Sequence, residues 1–237
     1  MLTFDGHLEL LTRLQASFLD LARVAEPAAP VPSCGDWTVA DLVGHLAEIH
    51  HWAAGMARDE RAQKPMPPTA DRAQQYGEAA AELHTTLAAL GPDATSRILD
   101  GITPDGRGPA SFWACRQVHE TLIHLHDLAA AAGRAPAAQP PTVWADAVDE
   151  VVTVMYPRQI ALGRTTPVHP AVTLVADDAG ARWLLGEGTP VARVTGAARS
   201  LALLLWKRRE LPGPGPALEV TGDFTAVTSA LGRPLVP

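Results

Sequence analysis

The stretch RQVHETLIHLHDLAAAAG, Arg116 to Gly133, places three histidines and two acids within nine residues of an otherwise apolar, alanine-rich segment. Imidazoles and carboxylates are the nitrogen and oxygen ligands of zinc, and they are also the usual groups of acid–base chemistry. Their angular placement on a helix separates them. At about 100° per residue, with Glu120 at zero, His124 lies near +40°, Asp127 near −20° and Arg116 near −40°. These four residues form one narrow seam. His119 and His126 fall near roughly −100° and −120°, on a neighbouring face. Glu120 and His124 are an i,i+4 pair, which stacks a carboxylate oxygen and an imidazole nitrogen on the same side.

Two ligands from one helix leave a metal site incomplete, and WTVADLVGHLAEIHHW offers a third. His45 sits mid-helix among Val39, Leu42, Val43, Leu46 and Ile49, with Glu48 on its face and His50 and His51 pointing elsewhere. His45, Glu120 and His124 make a His₂-carboxylate set, the ligand types of a catalytic zinc site that keeps one position open. Such a position accepts water or a thiol, and coordination turns a thiol into a nucleophilic thiolate. Asp127 would sit behind the ligands and orient an imidazole through its second nitrogen, with Arg116 beside it on the seam. The same spacing also fits a purely structural network that pairs Arg116 with Glu120 and His124 with Asp127. His7, His50, His51, His84 and His169 read as surface or packing residues. Cys34 and Cys115 read as small buried hydrophobes or inert thiols, and the tryptophans at 37, 52, 113, 144, 183 and 206 as core anchors.

These residues must be carried by helices, and the first half of the chain predicts four. The first spans Asp5 to Val24, with leucines and Phe18 recurring near helical spacing. After the proline-rich EPAAPVPSCGDW, Thr38 with Asp41 resembles a capping box and opens a helix to about Ala57. A third runs from Asp71 to Leu90. GPDATSRILDGITPDGRGPAS reads as a long connection to a fourth helix, Ser111 to Ala132, which ends at Gly133. GRAPAAQPP then reads as a linker. Beyond it come a helix from Val143 to Leu162, short strands in AVTLVAD, ARWLLGE, VARVTG and ALEVTGD, a helix in GAARSLALLLWKR and a closing helix in FTAVTSALG. The fold class is α+β: a four-helix bundle over residues 1–135 and a small α+β domain over 142–237.

Length and charge narrow the partners. The 237 residues carry a formal charge of −7, are 47% hydrophobic and 19% charged, and have no basic run longer than Lys207-Arg208-Arg209. That disfavours nucleic acid and anionic membranes, which need a basic footprint. MLTFDGHLELL lacks a signal peptide's basic and apolar regions, and no apolar run is long enough to span a bilayer, so a cytoplasmic, soluble protein is expected.

DWTVADLVGHL (Asp36–Leu46) together with RQVHETLIHLHDLAAAAG resembles the mycothiol-dependent maleylpyruvate isomerase family, whose bundle is related to DinB-like metal-binding proteins. The family's first segment is met by Trp37, Thr38, Asp41, Leu42 and His45, and its second by Arg116, His119, Glu120, His124 and Asp127. HPAVTLVADDAGARWLLG, VTGAARSLALLLWKR and LEVTGDF resemble its sterol-carrier-like C-terminal domain. The resemblance implies that His45, Glu120 and His124 bind a divalent metal, usually Zn²⁺, and that mycothiol coordinates it as the thiol cosubstrate. It implies a cis–trans isomerase, in which the thiolate adds to the double bond of maleylpyruvate, the adduct rotates, and elimination gives fumarylpyruvate. A thiol S-transferase acting on a small electrophilic acid is equally implied. Arg208 or Arg209 loosely matches the family's arginine after the Leu-rich helix, and a solvated helix C-terminus explains both as well. The alternative is a non-catalytic metal- and small-molecule-binding protein with the same bundle.

Overall fold

A computed structural model describes residues 2–60, 65–66, 69, 71–212 and 218–237. The chain divides into two compact units, one of residues 2–99 and 103–137, the other of 100–102 and 138–237.

The first unit is helical. It contains α1 (Phe4–Ala22), α2 (Val39–Ala57), α3 (Arg72–Leu90) and α4 (Ser111–Ala131), with a short hairpin of β1 (Thr95–Arg97) and β2 (Arg107–Pro109) before α4. Local chemistry sets the helix starts. Thr38 and Asp41 exchange side-chain-to-backbone hydrogen bonds across the first turn of α2, and Asp71 accepts from the Gln74 amide at the start of α3. Such caps satisfy amide groups that have no partner within the helix. Each helix packs on two neighbours, α1 on α4 and α3, α2 on α3 and α4, so a common core lies between them. Leu11, Phe18, Leu42, Leu46, Tyr76, Leu83, Trp113 and Leu128 fill it.

Burial of α4 exceeds what an amphipathic helix requires. Every residue from Arg116 to Leu125 is buried, including Arg116, Gln117, His119, Glu120, Thr121 and His124, and so is Asp127. The stretch is therefore interior apart from half-buried His126, and its buried polar groups need partners inside the protein. The expected long connection is partly ordered as the β1–β2 hairpin, whose strands are too short and polar to carry a strand pattern.

The second unit mixes helix and sheet. α5 (Pro141–Glu150) continues through a π-helical turn (Val151–Met155) into α6 (Tyr156–Ala161), where one expected helix is interrupted by a wider turn. The strands are β3 (Val172–Ala176), β4 (Ala181–Leu185), β5 (Ala192–Gly196) and β6 (Glu219–Gly222), in sheet order β4-β3-β5-β6. Ala217 of the ALEVTGD stretch lies outside the described residues. β3 pairs with β4 and β5 with β6 antiparallel, while β3 and β5 run parallel. α7 (Ala198–Leu205) and α8 (Phe224–Leu231) pack on β3 and β5, covering the alternate residues Val172, Leu174, Ala176, Ala192 and Val194. β5 shows the period-two pattern of a strand with one buried face, while in β3 Thr173 on the opposite face is buried as well. No helix among the described residues is long and apolar enough to cross a membrane.

Candidate metal centre

α2 and α4 place His45, Glu120 and His124 together, with one ligand atom from each within 4.8 Å of the others. His124 Nε2 lies 3.3 Å from Glu120 Oε1, and His45 Nε2 lies 3.6 Å from the same oxygen. Bonds of about 2.0–2.1 Å at tetrahedral angles put neighbouring zinc donors roughly 3.3 Å apart, which the His124–Glu120 separation matches and the His45–Glu120 separation exceeds slightly. The rings of His45 and His124 meet edge-on with centroids 5.2 Å apart.

The two oxygens of Glu120 have different partners. Arg116, one helical turn earlier, donates from Nη2 to Oε2, which leaves Oε1 toward the histidines. Burial alone would raise this carboxyl's pKa. The Arg116 charge and the hydrogen bonds from His124 and His45 outweigh burial and hold it well below the usual range. His124 is governed by a similar balance. Burial works against its charged form, but hydrogen bonds with Asp127, Cys34 and Glu120 lift its pKa well above the ordinary value. Its Nδ1 lies 3.0 Å from Asp127 Oδ2, so Asp127 fixes the ring with Nε2 turned toward Glu120. A carboxylate behind a ligand imidazole sets the tautomer and raises its basicity. His45 is the most accessible of the three, with 29% of its side chain exposed against 11% for Glu120 and 10% for His124.

The residues expected on the seam therefore come together. His119 and His126 stay off it, and His119 Nδ1 instead lies 4.0 Å from the Cys115 thiol. Arg208 and Arg209 belong to the other unit, just beyond α7, where Arg208 Nη1 donates to the Trp206 carbonyl at 2.8 Å.

Three neighbours were not expected. Cys34, expected as a small buried hydrophobe or an inert thiol, has its sulfur 3.6 Å from Asp127 Oδ2. Ser33 Oγ donates to Asp127 Oδ1 at 2.6 Å. Trp37 packs tilted against the His45 ring, centroids 4.8 Å apart and planes at 53°, so it touches the site as well as the core. Ser33 and Asp127 are 94 residues apart, and no periodicity within one helix links them. The only local signal was a Ser-Cys pair placed just before a strong helix cap.

The chain thus combines a helical unit, in which two imidazoles approach one carboxylate oxygen, with a small mixed α+β unit. The chain belongs to the mycothiol maleylpyruvate isomerase family: the family's N-terminal domain matches residues 8–129 and its C-terminal domain residues 142–228. Two crystal structures of mycothiol-dependent maleylpyruvate isomerase, one of a point mutant, share the fold. The mutant is 14% identical with a TM-score of 0.65, and the other 15% identical with a TM-score of 0.60. In each case 94% of this chain and 95% of the other is covered. Curated proteins give no match.

Proposed function

We propose that the helical unit is a DinB-like four-helix bundle whose His45, Glu120 and His124 hold a divalent cation, Zn²⁺ by ligand type. On this reading the chain is a mycothiol-dependent cytoplasmic enzyme. It isomerises maleylpyruvate or a related small electrophilic acid, or transfers a thiol to it. The observation that carries the reading is the convergence of two imidazole nitrogens on Glu120 Oε1, in a chain matched by both domains of the family.

The bound ion would act as a Lewis acid that lowers a thiol's pKa toward neutrality. The protein's own residues do the rest. Arg116 keeps Glu120 ionised and presents one oxygen. Asp127 keeps the second nitrogen of His124 engaged. The exposed side of His45 is where thiol and substrate would approach. Addition of the thiol sulfur to the cis double bond leaves a single bond about which the adduct rotates, and elimination returns the thiol with the trans product. Arg208 and Arg209 are the candidates to meet the substrate's carboxylates.

Native mass spectrometry of the protein and of His45→Ala tests the site. One zinc per chain, lost in the variant, is the expected result, and no metal in carefully prepared protein overturns it. Mycothiol-dependent conversion of maleylpyruvate to fumarylpyruvate then tests the enzyme. Metal without turnover of maleylpyruvate or of a panel of electrophiles would leave a binding protein.

A further inference from the structure

The segment between α1 and α2 reaches both histidines of the proposed site from one side, by separate contacts. Ser33 donates to Asp127 Oδ1 at 2.6 Å, and Cys34 lies 3.6 Å from Oδ2. Oδ2 is also the oxygen that meets His124 Nδ1 at 3.0 Å. Three residues further on, the Trp37 ring lies against His45 at 4.8 Å. Asp127 is wholly buried, so its orientation depends on the few donors around it.

This segment is a braced turn. Val31 and Trp37 pair through Val31 N to Trp37 O at 2.8 Å, and Pro30 and Thr38 form an antiparallel bridge. Inside it Cys34 N donates to Val31 O at 3.0 Å, and Trp37 N to Cys34 O at 3.3 Å. Gly35 supplies the left-handed backbone at φ 63°, with nothing near enough to hinder a Cβ, so the demand there is conformational. Val31 is fully buried and anchors the turn. At its far end the Thr38–Asp41 capping box starts α2, the helix that carries His45.

We propose that this turn is the common mount of the two histidines, with Ser33 a positioning residue for His124, acting through Asp127, and Trp37 a positioning residue for His45. The inference rests on the metal reading above. Its content is that the two histidines receive part of their order from outside α2 and α4, in addition to what Asp127 of α4 supplies. Loss of a group that orients a ligand typically weakens a metal site 10–100-fold.

The test is zinc affinity of the full chain by competition with a chromophoric chelator. Ser33→Ala should raise the zinc Kd by about 10-fold or more, and Ser33→Thr, which keeps the hydroxyl, should restore it to within about threefold. In an Asp127→Ala background the Ser33→Ala change should have little further effect, because the acceptor through which Ser33 acts is gone. A substitution that merely loosened the turn would add in both backgrounds. Trp37→Ala should weaken zinc binding and Trp37→Phe should not. If the parent binds no zinc, the metal reading itself fails. If the parent binds zinc and Ser33→Ala and Trp37→Ala bind it equally well, the mount alone is refuted. Equal Ser33→Ala penalties in the parent and in the Asp127→Ala background would refute the route through Asp127.

Discussion

α2 and α4 enclose two histidine clusters, one turn apart, with opposite character. At one, His45 faces the i,i+4 pair Glu120 and His124, with Arg116 and Asp127 behind. At the other, His50 faces the i,i+4 pair Gln117 and Thr121. Its Nδ1 donates to Gln117 Oε1 at 2.9 Å, Nε2 lies 3.5 Å from the Thr121 hydroxyl, and the Tyr76 ring packs at 5.5 Å. The helix geometry is the same at both, and the partners differ. The Gln117 amide oxygen accepts from a neutral imidazole, the Thr121 hydroxyl gives its hydrogen to the Gln117 carbonyl at 2.6 Å, and the site is closed, since His50 has no exposed surface. Carboxylates and a guanidinium build a charged site that stays open at His45. Buried histidine is therefore not itself a mark of chemistry. The charge of what surrounds it makes the difference.

Substituting the central partner in each cluster should break them differently. Glu120→Leu leaves the Arg116 guanidinium buried without its carboxylate, and removing one member of such a pair costs about 3–5 kcal/mol. Denaturant unfolding of the helical transition should record that loss together with loss of zinc binding. A stable variant that still binds zinc would show that Glu120 is not the shared ligand.

The clusters should also part with pH. Burial pushes His50 down to about 4, against the upward pull of its Gln117 hydrogen bond. The unfolded histidine titrates near about 6.5, so the unfolded chain binds the extra proton between the two values. Stability from keeping His50 neutral is complete above about pH 6.5 and is lost as pH falls toward 4, roughly 3 kcal/mol in all. In metal-free protein His124 has the opposite sign. Its pKa is raised, so its contribution is present below about 6.5 and is lost as pH climbs through the folded value. Unfolding free energies of metal-free parent and His50→Gln between pH 7 and pH 4 check this. The variant should show a flatter acid slope, and an unchanged slope would contradict the assignment.

Gln117→Leu makes the smaller, neutral break. It strands the buried N–H of His50, at a cost of about 1–3 kcal/mol, and should leave the zinc Kd within about threefold. A large loss of zinc affinity would mean that the clusters are one unit.

Much of this architecture was legible before the structure. The Thr38–Asp41 box, the proline-rich breaks and Gly133 with its left-handed φ of 63° punctuate α1 to α4 as expected, because caps and breakers act through neighbours in the chain. The seam on α4 was legible for the same reason, since 100° per residue is a local rule. What stayed hidden depends on distant residues. Nothing around Gln117 distinguishes it as the partner of His50, 67 residues away, and nothing around Ser33 points to Asp127. The β1–β2 hairpin was missed because three-residue strands leave no pattern, and the π-helical turn because one extra residue per turn barely alters the periodicity.

The smallest effect should come from a change that treats both clusters alike. Thr38→Ala removes the cap of α2, the helix from which both His45 and His50 project. Thr38 satisfies the Asp41 amide, and its own amide is satisfied by the Asp41 side chain, so the substitution undoes half of a reciprocal pair. Cap losses of this kind cost about 1 kcal/mol. The bonds that hold each cluster lie more than a turn further along α2 and across to α4, so neither should be disturbed. Stability should fall by that amount, with the zinc Kd and the acid slope attributed to His50 unchanged. If Thr38→Ala moved zinc affinity as strongly as Trp37→Ala, the order of His45 would come from the helix start, and the Trp37 ring packed against it would lose its assigned role.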